Sequence, residues 1–326
     1  MKKNGFLKLA VFVLLPLLLL AAIYSGLQAL ESTVLRPEEP VPETTPKKTL
    51  VSQGKHYFPR QDITTLLLMG IDKRGPAESS GYYSNQGCAD VIMLLVLDQT
   101  NETYNILCLN RDTMVTMPVI GVLGQKAGTA YGQLTLSHTY GSGLEDSCEN
   151  TRETVSNLLG GVTIDYYLSM RLDAVAILND AVGGVTVDIT EDFSLVDPTL
   201  EKGTMTLLGD QALHYVQNRR DVDDQLNLSR MQRQKKYMTG FMEAFRAKNE
   251  QSSNFLLKAY DQASPYLVTD CSTQVITGLL NRCADYELQD ILIPEGENVL
   301  GETYYEFYVD EEAQEDLVLS LFYSEK

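Results

Sequence analysis

The first apolar segment of the chain differs from every later one. Leu9–Leu30 contains no charged residue and is dominated by Leu, Val and Ala. At about 1.5 Å per residue it is long enough to cross the roughly 30 Å hydrocarbon layer of a membrane as a helix. The pattern therefore predicts a transmembrane helix at 9–30, because a cleaved signal would have a shorter apolar run of about 7–15 residues followed by a small-x-small site. Lys2, Lys3 and Lys8 all precede it, which places the 1–8 tip in the cytoplasm and the remainder outside the cell. From 31 to 60 apolar positions thin out among Pro37, Pro40, Pro42, Pro46 and Pro59, the composition of an extended extracellular stalk.

Beyond residue 60 apolar positions return as short runs between polar turns. Ile63–Ile71 and Val91–Leu97 are nearly continuous apolar runs, as expected of strands covered on both faces. Tyr104–Leu109 follows a polar stretch suited to a hairpin loop. Glu145–Leu159 sets Val155, Leu158 and Leu159 on one helical face and stops at Gly160-Gly161. Strands at Ile164–Leu172 and Val185–Ile189 bracket a helix at Asp173–Val182, and helices follow at Asp210–Asn218 and Asn227–Lys248. The C-terminal part adds helices at Phe255–Ala263, Gln274–Asn281 and Glu311–Phe322, with strands at Glu287–Ile293 and Tyr304–Tyr308. Such alternation, with some strands joined by hairpins, predicts an α/β fold: a mixed central β-sheet flanked by helices on both faces. The main domain is expected at 61–250, with 251–326 packed on the same body.

Charge narrows the class of partner. The 326 residues carry 26 Lys+Arg against 44 Asp+Glu, a net charge of −18. Because Lys2, Lys3 and Lys8 are the only charges before residue 31, the external part stands at −21. That balance repels nucleic acid, which is excluded as a partner. Five Cys without a C-x2-C pair and three His make structural zinc a poor fit. Export permits disulfides; the pairs expected are Cys88–Cys148 and Cys271–Cys283, with Cys108 left as a buried thiol.

Against this acidic background a few basic residues gather. Arg219, Arg220, Arg230 and Arg233 fall close together, and if a helix begins near Asn227, Arg230 lies near its amino end with Arg233 and Gln234 three and four residues on. One reading is a phosphate clamp at a helix N-terminus; the other is a solvated face whose arginines pair with Asp221, Asp223 and Asp224. A calcium loop starting at Asp221 fails, because Leu226 and Gln232 stand where Gly and Glu are required. A second set, Asp72, Asp90 and Arg111, sits at strand ends, where open α/β sheets place ligands. Carboxylates beside guanidinium groups suit a magnesium-bound polyphosphate. No nucleophile elbow, P-loop or H-E-x-x-H motif is present. His138 and His214 are isolated and read first as structural or lining residues; of the two, His138, in a Gly- and Ser-rich loop, is the better candidate to touch substrate.

These residues lie in blocks that, in order, resemble the LytR-CpsA-Psr proteins of bacterial, mainly Gram-positive, cell envelopes: LLLMGIDKRG (66–75), ADVIMLLVLD (89–98), NRDTM (110–114), SHTYGSG (137–143), LLGGVTIDYYLSM (158–170), LNDAVGGVTVDI (178–189), LLGDQALHYVQNRR (207–220) and SRMQRQ (229–234). The resemblance covers about 60–250. It implies a membrane-anchored phosphotransferase that moves a glycopolymer, such as a teichoic acid or capsular polysaccharide, from an undecaprenyl-pyrophosphate carrier to peptidoglycan. It also implies Mg2+ or Mn2+ as cofactor. By position, Asp72 and Asp90 match metal-associated carboxylates, Arg111 and Arg219 match arginines of the pyrophosphate site, and Arg230 and Gln234 match the face of the following helix. The chain departs from the family pattern at Cys88, Gln217, Gln133 and Thr135, where Arg, Arg, Lys and Asn are common; Arg220, Arg74 or Arg233 are the candidates to compensate. The rival functions are a polyprenyl-pyrophosphate hydrolase and a non-catalytic module that binds carrier lipid.

Overall fold

The computed structural model describes residues 49–52, 54–218, 222, 227–252 and 255–325. The transmembrane helix expected at 9–30, the tip before it and the stalk up to residue 48 lie outside the described residues, as do Arg219 and Arg220. Among the described residues no helix is long and apolar enough to cross a membrane.

In chain order the strands are β1 (Leu50–Ser52), β2 (Lys55–Pro59), β3 (Ile63–Ile71), β4 (Ala89–Asp98), β5 (Thr103–Leu109), β6 (Met114–Ile120), β7 (Lys126–Gln133), β8 (Tyr166–Arg171), β9 (Val185–Ile189), β10 (Gly203–Leu207), β11 (Leu267–Thr269), β12 (Glu287–Leu292), β13 (Gly296–Leu300), β14 (Tyr305–Val309) and β15 (Tyr323–Glu325). The helices are α1 (Glu145–Leu158), α2 (Leu172–Ala181), α3 (Asp210–Gln217), α4 (Asn227–Gln251), α5 (Phe255–Ala263), α6 (Thr273–Asp285) and α7 (Glu311–Phe322).

Six strands form the central sheet in the order β11-β8-β3-β4-β5-β12. It is mixed: β3 runs antiparallel to β4 and parallel to β8, while β5 runs antiparallel to β4 and parallel to β12. Alternate residues of the long central strands feed two separate cores. Leu67, Met69, Ile92, Leu94 and Leu107 pack toward Cys148 and Val155 of α1 and Val318 and Phe322 of α7. Leu66, Met93, Leu95 and Ile106 face Met231, Tyr237 and Phe245 of α4, with Phe255 of α5 and Ile276 and Leu279 of α6. Period-two alternation sends successive side chains to opposite faces, so continuous apolar runs such as Leu66-Leu67-Leu68-Met69 satisfy both cores at once. The mixed sheet with helices on both faces is thus the fold.

Other expectations are corrected. Residues 50–59, expected as the end of the stalk, form a β1–β2 hairpin whose second strand pairs with β15 at the far end of the chain. A Lys55–Glu325 ion pair of 3.0 Å spans the same contact. β6 and β7 were not anticipated, because Lys126–Gln133 is almost wholly exposed and built of small polar residues. They become strands by pairing with one another from Met114↔Gln133 to Ile120↔Lys126.

All five cysteines are free thiols, so neither expected disulfide forms. Cys271 precedes α6 and Cys283 sits in its last turns; roughly 15 Å of helix rise separates them, beyond the ~7 Å limit for bridging two Cα atoms. Cys148 is buried inside α1 with its side chain at Ser169, whereas Cys88 approaches Thr135.

Candidate active site

The site begins with an irregularity in the β3–β4 ladder. Gly70 pairs with Val91 and Ile71 with Ala89, which leaves Asp90 as an extra residue with no partner across the ladder. Such a bulge re-aims a side chain. Asp90 and Val91 accordingly both line the same side of the sheet, although strict alternation would send them to opposite faces. Gly70 permits this: a Cβ there would stand 3.0 Å from the Val91 Cβ. A glycine inside an otherwise apolar strand was the signal for a bulge, and it precedes Asp72 in the same block.

Asp90 holds two arginines. The Arg111 guanidinium pairs with its carboxylate through Nη1. Arg230 reaches the same carboxylate at 3.5 Å and donates through Nη2 to the Asp90 carbonyl at 3.3 Å. Thr135 Oγ1 lies 3.5 Å from Asp90 Oδ1. Arg111 also donates through Nε to Asp112 at 3.1 Å. Burial alone would lower the Arg111 pKa, but Asp90 and Asp112 outweigh it and the net shift is upward. The guanidinium stays charged.

Asp72 is the contrasting carboxylate. It follows β3 and accepts the backbone N–H of Cys88 at 2.7 Å, and it has no ion pair among the described residues. Burial, and after it the Asp90 charge, push its pKa above the ordinary 3.8. Among the described residues no three His, Cys, Asp or Glu side chains converge as a metal cage. Two neighbouring carboxylates beside a phosphate site are nevertheless what magnesium uses, since it takes one or two carboxylates and completes its shell with water and phosphate oxygens. Asp72 and Asp90 therefore fit a hard divalent cation.

Residues that sequence reading missed position this group. Asn110 accepts both the Asp112 N–H at 3.0 Å and the Asn227 side-chain amide at 2.6 Å, and Asn227 in turn accepts from Arg230 at 2.5 Å. This buried relay ties the loop after β5 to the first turn of α4, so Arg111 and Arg230 are held as one unit. Asn is common in turns and at helix ends, so neither residue stood out. Asp112 accepts a further hydrogen bond from Gln133 at 3.1 Å.

Several candidates are elsewhere. Arg233 is fully buried, donates to the Tyr215 and Asn218 carbonyls and stacks over Phe193; it braces α4 and does not join the clamp. Arg74 makes an exposed contact with Asp173 at 3.7 Å. Gln234 donates to the Val216 carbonyl at 3.0 Å but, unlike these, lines the same cavity as Asp90 and Arg230. His138 is a structural residue: its Nδ1 contacts the Gly87 carbonyl at 2.8 Å, and burial pulls its pKa down to about 4, leaving it neutral. His214 pairs with Asp197 at 2.8 Å. Cys88 stands within the cluster, where burial and then Asp72 and Asp90 raise its pKa and keep it a thiol.

Asp90, Arg230, Gln217 and Gln234 also line a cavity of about 280 Å³ that continues between the sheet and helices α2 to α6. The rest of its wall is chiefly apolar, including Leu68, Met93, Leu168, Val175, Met238 and Phe245. Arg230 and Phe245 both line it, and their separation along α4 makes it roughly 20 Å long. The arrangement joins a charged mouth of Asp90, Arg111 and Arg230 to a long apolar slot.

Known proteins share this architecture. The solved structure of TagT bound to LI-WTA superposes with a TM-score of 0.60 at 23% identity, covering 80% of this chain and 90% of that one. The Streptococcus agalactiae protein gbs0355 gives 0.65 at 21% identity, covering 80% and 86%. In sequence the chain is 26% identical over 245 residues to the polyisoprenyl-teichoic acid–peptidoglycan teichoic acid transferase TagU of Bacillus subtilis, covering 74% of this chain and 71% of TagU. It is 28% identical over 201 residues to TagT of the same organism, covering 59% of this chain and 56% of TagT. The LytR_cpsA_psr family pattern matches residues 28–318, and on that extent the chain belongs to the LytR_cpsA_psr family.

Proposed function

We propose that this protein is a membrane-anchored phosphotransferase that moves a glycopolymer from a polyprenyl-pyrophosphate carrier to peptidoglycan. The carrying observation is the continuity of an arginine-rich mouth with a long apolar cavity. A pyrophosphate bound at Arg111 and Arg230 would place a polyprenyl chain along the wall of Leu68, Val175 and Met238. The wall is almost wholly apolar, so a hydrocarbon occupant would remove that surface from water. The transferase names of TagU and TagT support the same reading, and a helix at 9–30 would keep the domain beside its lipid substrate.

Asp72 and Asp90 would hold Mg2+ or Mn2+, which supplies charge neutralisation at the phosphate oxygens. Arg111 and Arg230 exchange the Asp90 carboxylate for pyrophosphate oxygens, which they can contact in bidentate fashion. The acceptor hydroxyl attacks the sugar-linked phosphorus, the bridging P–O bond breaks, and lipid monophosphate leaves. Asp72, which has no ion pair among the described residues and engages the Cys88 N–H through one oxygen, has a second oxygen with which to take the hydroxyl proton. The arginines stabilise charge that develops on the transferred group and the leaving phosphate. Arg219 and Arg220 belong to the same clamp in this reading.

The test incubates the full-length chain with a lipid-pyrophosphate-linked saccharide, with and without peptidoglycan and divalent cation. Polymer-linked product should require both, and Arg111→Ala should lower its formation about 10²- to 10³-fold with an unchanged fold. Sugar phosphate released regardless of peptidoglycan would make the protein a hydrolase. Tight metal-independent binding without turnover would make it a carrier-lipid module. Either result overturns the transferase reading.

A further inference from the structure

We propose that the outer face of the β6–β7 and β13–β14 hairpins is the landing surface for the acceptor, a β-linked amino-sugar glycan strand, with Tyr131 and Tyr308 as its stacking platform. The inference deepens the transferase reading and rests on it.

The two hairpins are fastened to the catalytic loop. Phe307 of β14 donates its N–H to the Asp112 carbonyl at 2.9 Å and bridges Thr113 in parallel. Gln133 at the end of β7 donates to both the Asp112 carboxylate at 3.1 Å and the Tyr305 carbonyl at 2.8 Å. Asp112 is also the residue that holds Arg111 through Nε. Phe307 is 1% exposed, so β14 is pinned on one side and cannot swing away. The surface is therefore a rigid extension of the site: β6 begins three residues after Arg111, at most about 10 Å along the chain, and the level of Tyr131, opposite Thr116, lies at most about 17 Å along it.

Its chemistry suits a sugar. Tyr131 is 63% exposed and Tyr308 38% exposed; their hydroxyls lie close enough to interact, and Tyr308 is further held by a 2.6 Å hydrogen bond to Glu306. Exposed rings fixed in this way offer electron-rich faces to the C–H groups of a pyranose, with phenol and carboxylate oxygens for its hydroxyl and amide edge. Thr116, opposite Tyr131 in the β6–β7 ladder, is exposed beside them. The platform suits an anion poorly: β6, β7, β13 and β14 contain a single basic residue, Lys126, and it pairs with Glu153. A polyanionic donor polymer or an anionic lipid surface would find no partner there. The acceptor must reach the attacking position beside Asp72, Asp90 and Arg111 from outside the lipid cavity, and this platform is tied to the loop that carries Arg111 through Asp112 and Thr113.

The test uses the full-length chain in detergent and chitotetraose as a soluble β-linked amino-sugar probe, with binding followed by saturation-transfer NMR and titration. Saturation should reach ring and acetamido protons. The double variant Tyr131→Ala/Tyr308→Ala should bind about tenfold more weakly, while Tyr308→Phe, which keeps the ring but loses the hydroxyl held by Glu306, should fall between the two. In transfer assays the double variant should raise KM for peptidoglycan and leave KM for the lipid-linked donor unchanged. Lack of chitotetraose binding by the parent, or equal binding by the double variant, would overturn the platform. Tyrosine-dependent binding by a protein that transfers nothing would keep the platform as a glycan site and sink the transferase reading, so the two failures are distinguishable.

Discussion

The two faces of the central sheet are built from neighbouring residues of the same strands, yet one packs onto α1 and α7 while the other encloses a cavity of about 280 Å³. Leu67 and Leu94 pack toward α1 and α7, whereas Leu66 and Leu68 line the cavity under α2 to α6. Composition does not separate them, since both faces are aliphatic. The difference lies in the covering helices. α1 and α7 bring Val155, Val318 and Phe322 down onto the sheet. On the other side α4 is anchored at its amino end by Arg233 and by the Asn227–Asn110 contact, and the side chains below it line a channel. The bulge at Asp90 turns a carboxylate toward that side and gives the cavity a polar mouth.

The largest effect expected from this comparison is on stability. Leu67→Ala removes a fully buried side chain from the face under α1 and α7 and should cost about 2.5–5 kcal/mol, whereas Leu68→Ala, one residue along, should cost under about 2 kcal/mol because its side chain already borders space. Urea unfolding of the two variants measures both, and equal losses would break the distinction between the faces. Next comes filling the channel. Val175→Phe on α2 should leave stability within about 1 kcal/mol, since the added ring has room, but weaken polyprenyl phosphate binding about tenfold. Unchanged lipid affinity would remove the channel from the substrate path.

The smallest effect concerns the mouth. The Asp72 carboxyl has its pKa raised by burial and then by Asp90. An acid raised in the folded state binds its proton more tightly when folded, so its ionisation subtracts stability above the folded pKa. That penalty disappears as pH falls through the raised value toward the ordinary 3.8. In the absence of divalent cation, Asp72→Asn should therefore raise the thermal midpoint near neutral pH, and the gain should fade in acid. A gain that persisted unchanged in acid would show that the charge is not the cause.

Much of the site could be read before the fold was known, and the reasons are local. Asp72, Asp90 and Arg111 stood at the ends of apolar strands, and strand ends are where a sheet exposes loops. Arg230 could be placed on the first turns of α4 because the long helix was clear from its periodicity. The face it shared with Arg233 misled, because spacing along a helix fixes angular neighbours but not which of them the tertiary structure buries. Arg233 turned inward to unpaired carbonyls of Tyr215 and Asn218. For His138 the structural reading holds: Gly87 and the surrounding core close over the ring.

The sequence alone determined the alternation that makes a two-sided sheet, the helices that cover it, and the acidic background against which a few arginines form an exception. Those follow from period, propensity and charge, which are properties of neighbouring residues. Only the tertiary structure decided that Gly70 opens a bulge at Asp90, that Asn110 and Asn227 lock two distant arginines together, and that one of two equally apolar faces encloses a channel. Each of these depends on contacts between residues far apart in the chain, where helix placement decides whether an aliphatic side chain meets another or lines a space.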